Sequence, residues 1–551
     1  MTGIAAVQAW PLDQLGAAVL ALSTGAGEFR NIAAQVSGSL SRHPDWVGAT
    51  HDAVQRRISV HDALARRLAN TIEAAAGTGR MAWEALVPTR ALLLQLVETA
   101  TLSGFVVADD GTVTPPAANR AADAGYLSHR ITTVLGQLIN QDQTLGLQLQ
   151  QLSALLRGDL SVLPHPDGGW AEPRTLIARL QKLDQRAVRE FWEALTPGEV
   201  AALIDADPET IGNLYGVAFD DRIEANRRAI TNALAREVAA GRGGRPRARE
   251  LRAMLAPAPG IDGKPAPRRF VAFSSIGRGR YIEQIGDLHP GIEGVGVLVP
   301  GTGSRLDNAS DQRRRALGLA RSAGAPIFVF NDGTLPQRIA PPLARLADPG
   351  AYRGTAIDAE PARLLGRRLA DFGLDLDAEV AYRAPGTPTT YIGHSYGGSV
   401  VGTAEQYGLR ADRIVFASSA GTGAAGGPPA NPNPDVQRFS LTAPGDPIQL
   451  AQQHGGAVHG GDPDSTPGIQ RLDTGWYSND GRHPGKLISG PDGHAAYLDD
   501  PRSTAMRNIA DVIAGRSPTG YVWRAPDHAK TDTGLDYLLD ALRGPLAQLP
   551  R

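Results

Sequence analysis

The sequence predicts an all-helical N-terminal region followed by an α/β domain with a mostly parallel, eight-stranded sheet. Over residues 1 to 165, apolar side chains recur at the three- and four-residue spacing of amphipathic helices. From about Arg268 onward, short β-branched and aromatic runs alternate with amphipathic stretches and Gly- and Pro-rich turns. Strands that alternate with helices in this way are typical of α/β proteins.

The composition favours a soluble globular protein and excludes several kinds of site. The 551 residues carry 55 basic and 57 acidic side chains, so the overall charge does not point to a nucleic-acid partner. The absence of cysteine excludes disulfides, thiolate metal ligands and cysteine nucleophiles. No apolar run has transmembrane length, and Met1 to Gly25 lack the basic start of an ordinary signal peptide. We expect a cytoplasmic protein, or one exported by a non-classical route.

The first helical hairpin is expected to turn at residues 43–48. Pro44 and Gly48 should end the helix there, and Trp46 could pack between the two arms. This Trp-x-Gly turn resembles that of the small hairpin proteins of type VII secretion systems, which implies a protein partner for the helices and export by that route. An ordinary αα-hairpin with a buried Trp is the alternative. The Tyr-containing secretion signal of that family is not in the expected place.

Further boundaries follow from clusters of Pro and Gly. A second helical pair is predicted at Trp83–Leu102, kinked or started by Pro88, and at Ala117–Leu156. The predicted domains are a helical bundle at 1–165, a helical segment at 171–254, the α/β domain at 265–530 and a C-terminal helix at 531–551, centred on Leu535–Leu546. The eight predicted strands are Arg269–Ser274, Tyr281–Gly286, Gly294–Val299, Pro326–Phe330, Thr389–Gly393, Arg413–Ser418, Val436–Thr442 and Gln470–Thr474.

The most informative stretch is Thr389–Val401. A predicted buried strand runs into the motif Gly393-x-Ser395-x-Gly397, and a helix with small residues in its first turn follows. This strand–turn–helix context is that of a nucleophile elbow, in which a tight turn presents a serine hydroxyl at the edge of a sheet. The glycines leave room for the turn, and the helix N-terminus favours developing negative charge. Ser395 is therefore the candidate nucleophile, and His394 beside it is interpreted as a packing residue.

A serine hydroxyl needs an imidazole base, and the base needs a carboxylate to fix its tautomer. Asp446 follows the predicted strand at 436–442, in a sharp turn where such an acid belongs. His494 lies in a tight loop beyond the last predicted strand and is the favoured base. The other histidines that qualify by their order in the chain are His454, His459 and His483.

An oxyanion hole requires two N–H donors near the serine. Tyr396 follows the candidate nucleophile directly, and Thr302 lies in the loop Val299-Pro300-Gly301-Thr302-Gly303 after the third strand. These two residues are the predicted donors. A phosphate-binding loop is the alternative for Gly301-x-Gly303, but the third Gly and the Gly-Lys-Ser/Thr element of such loops are missing. Asp332, after the fourth strand, could belong to a substrate-binding loop, and the sequence assigns it no further role.

The C-terminal half resembles an actinobacterial family of α/β hydrolases catalogued as a domain of unknown function. The matching stretches are Pro208–Val217, Ala225-Asn226-Arg227, Val299–Gly303, Gly393–Gly398, His494–Leu498 and Asn508-Ile509-Ala510. The resemblance implies the α/β-hydrolase fold and a serine hydrolase, but no substrate. The chain departs from the family at Phe330-Asn331-Asp332-Gly333, where a Trp and a Gly-Tyr pair are expected.

These observations favour a serine hydrolase of small-molecule carboxylic esters, lipid esters among them, that uses neither a metal nor an organic cofactor. An acyltransferase of the same fold, in which an alcohol replaces water, is one alternative. A type VII secretion-associated effector or binding protein, whose helical module docks a partner, is the other.

Overall fold

The computed structural model describes residues 2–525, apart from 42–48, 157–159, 161, 168, 425–426, 428 and 481–482. It has two compact units, one with residues 1–176 and 190–202 and one with residues 177–189 and the chain from 203 onward. The predicted turn at Trp46 and the predicted C-terminal helix at 531–551 lie outside the described residues.

The first unit is built mainly from long helices. Their apolar stripes meet in a core that contains Leu93, Ile131 and Leu138. The elements in chain order are α1 (Ile4–Gln8), α2 (Leu12–Ser41), α3 (Ala49–Leu102), the hairpin strands β1 (Val106–Val107) and β2 (Val113–Thr114), α4 (Ala121–Leu156), and the hairpin strands β3 (Leu163–Pro164) and β4 (Trp170–Ala171).

The prediction of a separate helix that begins at Trp83 or Pro88 was wrong. Helix α3 continues through both positions, with Pro88 in its interior. A proline inside a helix removes one hydrogen bond and crowds the carbonyl four residues earlier, but the buried side chains of Leu86 and Leu93 on either side hold the helix in the core. Tertiary packing has therefore outweighed the local helix-breaking tendency.

Short helices and a two-stranded ribbon lead into the sheet. In order they are α5 (Pro173–Leu180), α6 (Gln185–Glu193), α7 (Pro197–Ala206), α8 (Pro208–Ile211), α9 (Phe219–Ala239), α10 (Pro246–Leu255), β5 (Ala258–Pro259) and β6 (Pro265–Ala266). Helix α9 presents the buried residues Phe219, Ala229 and Ile230 to the sheet region.

The predicted eight-stranded, mostly parallel sheet is confirmed. Its spatial order is β14-β13-β12-β11-β9-β10-β8-β7, and β8 alone runs antiparallel to both of its neighbours. The strands are β7 (Arg269–Ser274), β8 (Arg280–Ile285), β9 (Val295–Val299), β10 (Ile327–Asn331), β11 (Thr389–His394), β12 (Arg413–Ala417), β13 (Gln437–Leu441) and β14 (Ile469–Arg471).

Helices cover both faces of this sheet. Neighbouring strand residues alternate between the faces, as Tyr391 and Ile392 do on β11, and each face contributes to its own apolar cluster. The helices are α11 (Ala309–Ala323), α12 (Glu360–Arg383), α13 (Tyr396–Gln406), α14 (Ile448–His454), α15 (Gly456–His459) and α16 (Thr504–Ile513). The sequence predicts a helix at Glu360–Phe372, and helix α12 extends 11 residues beyond that end, because Leu376 and Val380 continue its buried face.

The turn between β11 and α13 allows almost no room for side chains beside Ser395. Ser395 itself has a φ of 56° and is one of two non-glycine residues with a positive φ among those described. A Cβ atom on Gly397 would lie 2.2 Å from the Val299 carbonyl oxygen, and one on Gly393 would lie 2.4 Å from the Gly398 Cα. The strand, the helix and the end of β9 therefore meet at backbone contact distance.

Replacing Gly397 by alanine should destabilise the protein, because the added Cβ collides with backbone that cannot rotate away. Overpacking of this kind costs about 1–3 kcal/mol or more. Thermal unfolding of Gly397→Ala should occur at a clearly lower temperature than that of the wild type. Gly244→Ala is the matched control, since a Cβ there meets nothing within 4 Å. Equal melting temperatures for the two variants would contradict the tight turn.

Candidate active site

Ser395 lies at the carboxyl end of β11, on the first turn of α13. Its N–H donates to the Ala417 carbonyl at 3.1 Å, and its carbonyl accepts from the Ala420 N–H at 3.0 Å. These bonds connect the turn to β12 and to the segment after it, so the left-handed backbone of Ser395 is fixed from two sides. A strained conformation of this kind persists where the surrounding structure determines it.

The structure brings Ser395, His494 and Asp446 together. The Nε2 atom of His494 lies 3.0 Å from Ser395 Oγ, and its Nδ1 atom lies 3.0 and 3.2 Å from the two carboxylate oxygens of Asp446. A carboxylate can only accept, so Nδ1 carries the proton and Nε2 is left to accept from the serine hydroxyl. The Asp446 side chain is fully buried in the turn after β13, where it also accepts from the Ile448 N–H at 2.9 Å.

The other candidate histidines have different environments. His454 is exposed at the end of α14, and His483 lies with its ring against Tyr477. His459 is buried, and its Nδ1 atom lies 3.1 Å from Ser399 Oγ. Burial lowers the pKa of His459. None of these three is within hydrogen-bond distance of Ser395 among the described contacts.

The two predicted oxyanion donors lie beside Ser395. Thr302 and Tyr396 line the same pocket as Ser395 and His494. A Cβ on Gly301 would be 2.7 Å from Ser395 Cβ, so the loop after β9 passes directly over the serine. Among the described residues, no backbone carbonyl accepts from the Thr302 or Tyr396 N–H.

His394 does more than pack, which the sequence did not indicate. Its side chain is 6% exposed, and its Nε2–H donates to the backbone carbonyl of His494 at 2.9 Å. Burial, with a smaller contribution from the neighbouring His494, lowers the pKa of His394 to about 3. The ring therefore stays neutral and holds the loop that carries His494 against the nucleophile turn.

A pocket of about 590 Å³ opens above Ser395. Its apolar lining comes from the loop between β10 and α12 and from α14, whereas α11 and the turn before it supply polar and charged side chains. Asp332 is not part of this lining. It pairs with Arg280 and Arg368 beside a separate cavity of about 320 Å³. Its position supports an ion-paired structural role rather than contact with a molecule at Ser395.

Neither a metal cluster nor a membrane span is found in the described part of the chain. No group of three or more histidine, aspartate or glutamate side chains there is arranged to hold a metal ion. Among the same residues, no helix combines the length and apolarity required to cross a bilayer.

The low pKa of His394 predicts a specific pH dependence of stability. Below pH 6.5 the unfolded chain takes up a proton on His394 and the folded chain does not, so the free energy of unfolding should fall as pH falls. The slope from this group approaches about 1.4 kcal/mol per pH unit. Urea unfolding of His394→Asn between pH 7 and 5 should show a shallower loss than the wild type. His454→Asn, at an exposed site, should keep the wild-type slope; an unchanged slope in His394→Asn would contradict the assignment.

A match to a protein-family model agrees with this architecture. Residues 276–454 match a family model described as "Alpha/beta hydrolase". Similar solved structures include an arylesterase, with 15% identity, a TM-score of 0.26 and coverage of 52% of this chain and 97% of the other. Another is the esterase LipW from Mycobacterium marinum, with 16% identity, a TM-score of 0.24 and coverage of 58% and 94%.

Those identities and TM-scores are too low to transfer an activity from either structure. No curated protein matches the chain. The match to the family model supports the α/β-hydrolase part of the resemblance seen in the sequence, whereas the likeness to type VII secretion hairpins stays a prediction. Residues 276–454 thus match the α/β-hydrolase family model, and the mostly parallel eight-stranded sheet to which they contribute has the α/β-hydrolase fold.

Proposed function

We propose that this chain is a serine hydrolase that cleaves carboxylic esters, lipid esters among them, through an acyl-enzyme. The observation that supports this most strongly is the continuous hydrogen-bonded line from Ser395 Oγ through the His494 ring to Asp446. A buried carboxylate, an oriented imidazole and a hydroxyl in this order form the arrangement required for nucleophilic acyl transfer.

In the first step Ser395 Oγ attacks the ester carbonyl carbon while His494 Nε2 takes the hydroxyl proton. The negative Asp446 stabilises the imidazolium that results. The carbonyl oxygen becomes an oxyanion, for which the N–H groups of Thr302 and Tyr396 are the proposed donors. The tetrahedral intermediate collapses as the bond to the leaving alcohol breaks, and His494 gives that alcohol its proton.

Water then completes the cycle. His494 removes a proton from a water molecule, whose oxygen attacks the acyl carbonyl on Ser395. Collapse of the second intermediate releases the carboxylic acid and returns the proton to Ser395 Oγ. The apolar side of the pocket, with Ile448 and Leu450, supports an acyl group of hydrocarbon character.

Replacing Ser395 by alanine should abolish ester hydrolysis and covalent labelling by a fluorophosphonate, since the variant lacks the attacking oxygen. Loss of a nucleophile costs several orders of magnitude in turnover. Ser399→Ala is the control for labelling, because that serine lies one helical turn away and contacts His459 instead. Labelling that persists in folded Ser395→Ala would place the nucleophile elsewhere.

Activity should depend on His494 and on its partner Asp446. His494→Ala should lose activity by several orders of magnitude, because no group remains to accept the Ser395 proton. His483→Ala should keep the wild-type activity. Asp446→Asn should cut kcat strongly without a change in melting temperature, because an amide can hold the ring in the wrong tautomer. A His483→Ala variant as inactive as His494→Ala would contradict this choice of base.

A further inference from the structure

The pocket above Ser395 has two walls of different chemistry. The apolar wall comes from the loop between β10 and α12, from the turn after Asp446 and from α14, with the residues Ile339, Ile357, Pro447, Ile448, Leu450 and Ala451. The polar wall comes from α11 and the turn before it, with the residues Asn308, Asp311, Gln312, Arg314 and Arg315. An ester also has two parts, an acyl chain and an alcohol. Each wall of the pocket can therefore be assigned to one part of the substrate.

The polar wall adjoins the loop that carries His494. Arg315 makes two hydrogen bonds to Asp499, at 3.0 and 3.1 Å, and Asp499 lies five residues after His494. In the proposed mechanism His494 Nε2 protonates the leaving alcohol, which must therefore depart beside this loop. The alcohol part of the substrate belongs at the polar wall, and the acyl chain belongs at the apolar one.

The polar wall has charges but little net charge. The guanidinium of Arg314 lies 3.1 Å from Asp311 and 3.9 Å from Asp499, and that of Arg315 is also paired with Asp499. With Asp499, which lies behind the wall and outside the pocket lining, the two cations face two carboxylates, so neither an anionic nor a cationic alcohol gains a strong electrostatic preference. The wall instead offers hydrogen-bond donors next to acceptors, and a hydroxyl group can satisfy both at once.

We propose that the substrates are esters of an uncharged polyhydroxy alcohol, of the glycerol or sugar type, with an apolar carboxylic acid. This proposal rests on the proposed hydrolase function and specifies its substrate class. A pocket of about 590 Å³ is within the usual size range of small-molecule sites and holds both parts of such an ester. Several hydroxyls would bind along the wall of Asp311, Arg314 and Arg315, while the acyl chain lies against Ile448 and Leu450.

The test compares esters that share one acyl group and differ in the alcohol. With the full chain, kcat/KM is measured for octanoyl glycerol, ethyl octanoate, octanoyl choline and an octanoyl ester of glycerol phosphate. The glycerol ester should exceed each of the other three by tenfold or more. Equal values, or a preference for the cationic or the anionic ester, would overturn the proposal.

A paired variant tests the wall itself. Asp311→Ala with Arg314→Ala removes an ion pair together and leaves the net charge unchanged, so no new charge favours one ester. The ratio of kcat/KM for the glycerol and ethyl esters should fall at least fivefold, mainly through KM. The control is Glu237→Ala with Arg242→Ala, an ion pair on and just beyond α9 that is not part of the pocket lining and should leave the ratio at its wild-type value. An unchanged ratio in the Asp311/Arg314 variant would overturn the assignment of the wall.

Labelling of Ser395 by a fluorophosphonate tests the hydrolase function separately from the substrate class, since that reaction needs no polyhydroxy alcohol. Labelled protein without a preference for the glycerol ester would contradict the substrate class and leave the hydrolase proposal intact. Unlabelled, correctly folded protein would contradict the hydrolase proposal, and the substrate class with it.

Discussion

The close contact of three backbone segments at Ser395 is the constraint on which the site depends. β11, α13 and the loop after β9 approach so closely that a Cβ on Gly397 or Gly301 would overlap its neighbours. This proximity forces Ser395 into a left-handed conformation and places its hydroxyl beneath the loop of Thr302. The same compact turn lets His394 reach the carbonyl of His494, so the nucleophile and the candidate base are positioned by adjacent residues of one strand end.

Some of the residues that carry the family resemblance support the edge strand of the sheet and are not part of the candidate active site. Asn213 donates to the Phe273 carbonyl at 2.7 Å and accepts from its N–H at 3.1 Å, and Asn226 donates to the Phe270 carbonyl at 2.9 Å. Both partners belong to β7, the edge strand, whose free backbone groups would otherwise seek another strand. The buried pair of Arg222 and Asp375 joins this helical segment to α12. The stretches around residues 208–227 therefore hold the sheet in place.

The sheet was predictable because its signals are local. Each strand is a short apolar or alternating run between Gly- and Pro-rich turns, and all eight lie within three residues of the predicted ends. Helix ends in the first unit were less predictable. Pro88 locally favours the end of a helix, but the buried face of α3 continues past it. The stabilisation that this packing provides depends on residues from other helices and cannot be inferred from the sequence next to Pro88. The extension of α12 to Arg383 has the same origin.

In the candidate site, too, some features could be predicted from short stretches of sequence, whereas others depend on residues that are far apart in the chain. The order of Ser395, Asp446 and His494 along the chain, each after its own strand or loop, was enough to predict that they meet. The role of His394 was not predictable, because the carbonyl to which it donates is 100 residues away. The two walls of the pocket were not predictable either, since Leu450 and Arg314 lie more than 130 residues apart in the sequence, on helices that both line the pocket. A catalytic arrangement whose residues each follow a strand or loop can be inferred from their order in the sequence. Substrate specificity that depends on side chains from distant loops and helices can be inferred only when the fold is known.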